Sequence, residues 1–225
     1  MTAQTPRLDG RVVVVVGGSG VVGGTVVRAL RAAGARVVVP TRGRAGDGDD
    51  DGVRPVHVDS WDAPHEILAV AAEPGWGPDA VVAAVGGWWL GPPVVELAVG
   101  TWRDLVESHL TAHFLAARSL APLVAGRPGA AYVMLNGAAS REPMVGSGPV
   151  CVAGAGQHML LEMLRSEEIG TRVRFHEVLV LAAVAGDDRN LAPTSEVGGG
   201  EVAAAVLATL ADPTSPAVVT VGAAG

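Results

Sequence analysis

The most constraining feature of this 225-residue chain lies near its start, where five consecutive valines, Val12–Val16, run into Gly17-Gly18-Ser19-Gly20-Val21-Val22-Gly23. Five β-branched residues in a row have no polar face. They fit a strand buried on both sides, as in a parallel sheet covered by helices. After the glycines, Val22, Val26, Val27 and Leu30 recur at helical spacing until Gly34 stops them. A strand, a glycine turn and a helix in this order present free helix N–H groups to an anion. Gly17 permits the tight turn, Gly20 lets a pyrophosphate approach the backbone, and Gly23 lets the helix pack close on the sheet. A turn made only for packing is the competing reading.

The same alternation continues along the chain. Strand-like runs fall at 36–40, 53–58, 80–85, 130–135, 173–181 and 217–221, and helical patterns at 62–72, 101–124, 151–169 and 201–210. Together with the valine run this makes seven strands. It predicts an α/β fold, one domain over 1–225, with a doubly wound seven-stranded parallel sheet. Thr101 is the expected N-cap of the long helix, with Asp104 at the capping-box offset. Residues 1–8 read as a flexible polar tail, and 43–52 as an acidic, glycine-rich surface loop. Ligands in such sheets bind past the carboxyl ends of the strands, which directs attention to the segments just after each strand.

Composition removes several chemistries. All 16 basic residues are Arg, and Tyr132 and Cys151 are the sole Tyr and Cys. Without Lys there is no lysine Schiff base, no Tyr–Lys acid/base pair and no P-loop lysine. One Cys excludes an intrachain disulfide and a cysteine-rich zinc site. A net charge of -7 with scattered cations argues against nucleic acid as a partner. The polar start MTAQTPRLDG has no apolar targeting segment, and the valine run is too short to span a bilayer. No membrane association and a cytoplasmic location are the expectation.

The second strand runs into Thr41-Arg42-Gly43-Arg44, with no acid before Asp47. A free ribose 2′-OH is usually held by an acid at this place, whereas a 2′-phosphate needs a cation. Arg42 and Arg44 therefore point to NADP(H), against the alternative of two solvated loop arginines.

With these motifs the chain resembles the short-chain dehydrogenase/reductase family over about residues 8–222, which implies a Rossmann fold. The glycine turn is similar to that family's, in a shifted G-x-x-G-x-x-G form. His57-Val58-Asp59-Ser60 resembles its strand ending in Asp, which holds adenine. Ala83-Ala84-Val85-Gly86-Gly87 stands where the family has Asn-Asn-Ala-Gly, with only the Gly kept. The resemblance implies cofactor contacts from Gly17, Ser19, Gly20, Val21, Gly23, Thr41, Arg42, Arg44, Asp59, Ser60 and Gly86. It also implies a homodimer or homotetramer paired through the helices over 101–124 and 151–169, and a small-molecule substrate.

The catalytic pattern departs from the family. Its Tyr donates a proton to the substrate carbonyl, its Lys four residues later lowers the Tyr pKa, and a Ser orients the carbonyl. Aligned on the acidic end Glu168-Ile169, Cys151 takes the Tyr position, Ala155 the Lys position, Gly137 or Ala138 the Ser position and His109 the Asn position. A slip of one residue does not restore the pair. His109 is then the candidate acid/base, although a helix histidine that only packs is the commoner case. Trp88, Trp89, Asn136 and Cys151 are candidate substrate-pocket residues, with core packing or surface-turn roles as the competing readings. Ser140 and Arg141 belong to the same loop. His109 and His113 sit at i and i+4 with no third ligand, so no metal is expected. The resulting expectation is an atypical NADP(H)-dependent reductase of a ketone or quinone-like molecule. The alternatives are a non-redox cyclase or dehydratase and a catalytically silent nucleotide-binding paralogue.

Overall fold

The valine run divides its side chains between two cores. In the computed structural model, which describes residues 6–43, 52–61, 64–189 and 195–222, Val12, Val14 and Val16 pack on one face of the sheet and Val13 and Val15 on the other. None is more than 6% exposed. Each buried valine contributes roughly 1.5–3 kcal/mol relative to an exposed one, so this strand anchors both layers.

The elements in chain order are β1 (Val12–Val16), α1 (Val21–Ala32), β2 (Arg36–Thr41), β3 (Val53–His57), α2 (His65–Ala72) and β4 (Ala80–Ala83). Then come α3 (Val99–Val106), a π turn (Glu107–Thr111), α4 (Ala112–Val124), β5 (Ala131–Gly137), α5 (Gly148–Ser166) and β6 (Arg174–Val180). A short pair β7 (Ala183–Val184) and β8 (Glu196–Val197), then α6 (Gly199–Ala211) and β9 (Val218–Val221), complete it. The main sheet has seven strands in the order β3-β2-β1-β4-β5-β6-β9, every pair parallel. The fold is thus the predicted doubly wound Rossmann-type α/β sheet. Strand order reverses between β1 and β4, which opens a crevice beyond their carboxyl ends. One core joins β1 to α1 and α6. The other holds Ile67, Leu120, Tyr132 and Leu161 from α2, α4, β5 and α5.

Several local expectations are corrected. Leu8, read as part of a tail, is 4% exposed, and its N–H donates to Ala33 O at 2.8 Å, so the chain is tied down from that residue. Residues 1–5 and most of the acidic loop, 44–51, lie outside the described residues. Thr101 is not a cap: α3 already begins at Val99, and its N-cap Ala98 makes no side-chain bond. The fifth helix begins at Gly148, with Pro149 in its first turn, and ends at Ser166. A separate 3₁₀ turn, Glu168–Thr171, follows. The segment between β6 and α6 contains β7 and β8, which pair in parallel and lie outside the seven runs read as strands. Among the described residues no helix is long and apolar enough to cross a membrane.

Candidate functional site

A cavity of about 530 Å³ occupies the crevice at the strand-order switch. The first turn of α1, Gly20–Gly23, forms one side. The segments after β4, β5 and β6 form the rest, together with α5. The glycines of the turn have distinct reasons. Gly17 holds φ +77°, and a Cβ there would lie 2.1 Å from Ala84 O, so the turn fits against the end of β4 only without a side chain. A Cβ on Gly23 would lie 2.1 Å from Gly17 O, which lets α1 sit directly against the turn. Gly20 is the N-cap of α1. It is exposed and makes no side-chain cap bond, so the first N–H groups of α1 face the cavity side without a cap.

At the other end of the crevice, a Cβ on Gly18 would meet Val39 Cγ1 at 2.8 Å, so the end of β2 lies beside the turn. Arg42 follows, exposed and without a hydrogen-bond or ion-pair partner among the described residues. Its loop is braced. Gly43 N–H donates to Thr41 Oγ1 at 3.2 Å, His57 Nδ1 lies 2.8 Å from Gly43 O, and His57 Nε2 lies 3.0 Å from Asp59 Oδ1. Both partners of His57 are acceptors, so only the imidazolium satisfies both at once. The Gly43 carbonyl, then Asp59, raises the His57 pKa. Thr41, Asp59 and Ser60 stand at this end beside Arg42, whereas Arg44 lies outside the described residues.

His109 lines the cavity and is 9% exposed. Gly87 N–H donates to its Nε2 at 3.1 Å, and Gly87 O lies 2.9 Å from the same nitrogen. Ser108 Oγ donates to Asp104 O at 2.7 Å and lies 3.0 Å from His109 Nδ1. Both ring nitrogens are therefore engaged, Nε2 by the backbone of Gly87 and Nδ1 by Ser108. A Cβ on Gly86, at φ +99°, would approach His109 Cδ2 to 2.8 Å. His109 thus packs beneath the Gly86-Gly87 turn at the cavity wall. Arg189 covers the same turn from outside. It is paired with Asp187 at 2.6 Å and donates to Gly86 O at 3.3 Å. His113, one turn beyond His109, is fully buried. Its Nε2 lies 3.2 Å from Val85 O, and burial drives its pKa down to about 4. No group of three or more metal-ligating side chains occurs among the described residues.

On α5 the structure shifts the register by one residue. Val150, Gly154 and Gln157 line the cavity; Cys151 and Ala155 do not. Cys151 instead lies against the preceding loop, with Met144 N–H directed at its sulfur at 3.4 Å. The alignment assumed one helix through Ile169, whereas α5 ends at Ser166 and the chain tightens into the 3₁₀ turn. Trp88 lines the cavity, but Trp89 does not. The Trp89 ring lies over Gly91, and its carbonyl accepts from Ser147 Oγ at 2.7 Å. Tyr132 is a core residue, 1% exposed and tilted against Phe175.

Asn136 lines the cavity, but its amide is already committed. Nδ2 donates to Gly154 O at 3.0 Å and to Glu177 Oε1 at 2.9 Å, and Oδ1 accepts from Gly137 N–H at 2.9 Å. Glu177 is wholly buried, and its other oxygen takes Arg141 at 2.5 Å and His158 Nδ1 at 2.9 Å. Glu177 and Gln157 were missed in the sequence. A lone Glu inside the apolar strand RFHEVLV, and a Gln seven residues after Val150 on one helix face, were the available signals.

No protein-family model matches the chain, and no curated protein is similar to it in sequence. Solved structures share its architecture. A short-chain dehydrogenase from Burkholderia cenocepacia in complex with NADP is 22% identical with a TM-score of 0.79, the match covering 96% of this chain and 90% of that one. A gluconate 5-dehydrogenase from the same organism, in complex with NADP and tartrate, is 16% identical at 0.79, covering 96% and 94%. Serine dehydrogenase from Escherichia coli is 19% identical at 0.74, covering 93% and 95%. At these identities the likeness is one of fold, and it agrees with the seven-stranded parallel sheet read from the sequence.

Proposed function

We propose that the chain is a member of the short-chain dehydrogenase/reductase family that binds NADP(H) and reduces a ketone or quinone-like small molecule without a Tyr–Lys proton relay. The observation that carries the proposal is the cavity at the strand-order switch, bounded by the uncapped first turn of α1 and by an α5 face of Val150, Gly154 and Gln157. The crevice suits the cofactor: the turn at Gly17 and Gly23 is too tight for side chains, and the first-turn N–H groups of α1 have no cap.

Ser19 and Val21 would hold the pyrophosphate through backbone N–H groups, on a turn shaped by Gly17 and Gly20, whose own N–H donates to Gly17 O at 3.0 Å. Arg42 and Thr41 would hold the 2′-phosphate, Asp59 and Ser60 the adenine, and Gly86 the ribose nearer the chemistry. When bound, the reduced nicotinamide supplies a hydride. The protein's own part is to orient the carbonyl and exclude water, and orientation alone can supply roughly 7–11 kcal/mol of barrier lowering. Losing a general acid costs on the order of 10²–10⁴ in rate, which a reactive quinone or a phenol-flanked ketone tolerates. Assembly as a homodimer or homotetramer is supported by exposed apolar side chains on the two long helices: Phe114 on α4, and Val152, Met159 and Met163 along one face of α5.

The test is a fluorescence titration with NADPH and NADH, followed by NADPH oxidation against a set of quinones and polycyclic ketones. Tight NADPH binding with turnover is the expected result. NADPH binding without turnover moves the reading to a silent paralogue. Failure to bind either nucleotide moves it to a non-redox enzyme on the same fold.

A further inference from the structure

We propose that the side-chain amide of Gln157 is the group that holds the substrate's carbonyl oxygen. Gln157 is 4% exposed, lines the cavity, and makes no hydrogen bond with any described residue. Buried polar groups are normally paired, and an unpaired amide on a cavity wall is a group waiting for a ligand. Asn136 is committed to Glu177, Gly154 and Gly137, His109 to Gly87, and Arg189 to Asp187, while the Ser195 hydroxyl and the Trp88 indole, which also line the cavity without a hydrogen-bond partner among the described residues, are only half-buried. Gln157 stands one turn beyond Gly154, which has no side chain to screen it from the cavity.

An amide N–H donates a hydrogen bond without giving up its proton, so the role is to stabilise charge on oxygen. Hydride addition forms a C–H bond at the carbonyl carbon, oxidises the reduced nicotinamide, and puts the C=O π pair on oxygen. Gln157 Nε2–H holds that oxygen while it takes a proton from water, leaving hydroxide to the solvent. Donors placed this way are among the larger contributors to carbonyl chemistry. The substrate class that fits is a neutral ketone or quinone.

The hydride step rests on the reductase reading; binding of the carbonyl does not. The probe is phenanthrenequinone, titrated by calorimetry into the parent, Gln157→Leu and Gln157→Glu without nucleotide. Each variant should weaken the quinone by roughly 2- to 12-fold, since neither can donate near neutral pH. Each should keep the parent's NADPH affinity, and kcat for quinone reduction should fall on the order of 10²–10³. Gln157→Leu should not lower the melting temperature, because no internal bond is lost. A parent that does not bind the quinone, variants that bind it equally well, or a variant that loses NADPH affinity instead, overturns the inference. Quinone affinity that depends on Gln157 in a protein that binds no NADPH upholds the carbonyl site and removes the reductase reading. NADPH binding with Gln157-independent quinone affinity does the reverse.

Discussion

Glu177 Oε1 accepts a 2.9 Å hydrogen bond from Asn136 Nδ2, diagonally across β6 and β5. That bond fixes the strand end that lines the cavity, and it depends on a carboxylate with no solvent of its own. Its charge is balanced by Arg141, which is 30% exposed. The two partners should therefore respond unequally to removal. Arg141→Met strands the buried charge and should cost about 3–5 kcal/mol. Glu177→Leu leaves a guanidinium that can turn to water and an Asn136 amide that keeps Gly154 O, with only His158 losing its carboxylate, and should cost less, about 1–3 kcal/mol. Urea unfolding of both variants gives the order, and the reverse order contradicts the role assigned to Arg141.

Acid should destabilise the protein through His113. Its folded pKa, about 4, lies below the ordinary 6.5, so between those values the unfolded chain binds a proton that the folded chain refuses. Stability is intact above pH 6.5 and declines as pH falls toward 4, by up to about 1.4 kcal/mol per pH unit for one group. His176, also lowered chiefly by burial, acts in the same direction. His113→Gln should flatten the lower part of a plot of melting temperature against pH. An unchanged slope would show that the ring is not held neutral.

Arg42 and its brace should set the nucleotide preference. A charge-assisted phosphate contact is worth about 1.5–3 kcal/mol. Arg42→Ala should thus weaken NADPH by roughly 10- to 150-fold and leave NADH nearly unchanged. The folded His57 pKa is raised, so its double contact is complete below 6.5 and is lost as pH rises through the higher folded value. NADPH affinity should decline over that rise in the parent and not in His57→Gln. Fluorescence titrations across pH compare the two, and parallel curves would remove His57 from the account.

Two glycine-to-alanine changes should have opposite signs. Gly17→Ala meets both a positive φ and Ala84 O at 2.1 Å, and should cost at least about 2 kcal/mol and abolish nucleotide binding. Gly200→Ala, in the first turn of α6 with nothing within 4 Å of its Cβ, should stabilise by about 0.4–1 kcal/mol. Thermal melts of the pair separate glycines required by geometry from the rest of the chain's 31.

The frame of the molecule was legible because its signals are repetitive. Short strand-like runs alternating with helical patterns gave all seven strands of the main sheet, and the turn at Gly17–Gly23 gave the position of the crevice. What escaped depends on single side chains whose meaning is set by distant partners. Glu177 inside an apolar strand reads as an exception until Asn136, Arg141 and His158 are seen to converge on it. The register of α5 escaped for a different reason. It was counted back from the acidic pair Glu168-Ile169, which belongs to the separate 3₁₀ turn and not to α5, and the cavity-lining positions are Val150 and Gly154 in place of Cys151 and Ala155. His109 was found, but its partners are backbone atoms of Gly87, which no pattern of side chains reports.

The π turn over Glu107–Thr111 makes the path from α3 to α4 one residue longer than an α-helix needs. Point substitutions there leave the spare residue in place, whereas a deletion removes it. Shortening the segment by one residue lets α-helical bonding run through, and α3 and α4 keep their facing because the wide turn had absorbed the extra residue. What changes is local: His109, which meets Gly87, and Leu110, whose Cδ2 would lie 2.9 Å from a Cβ on Gly156, both sit inside the widened turn. The spare residue thus acts as a local outward swell that carries these two side chains to the cavity wall and to α5.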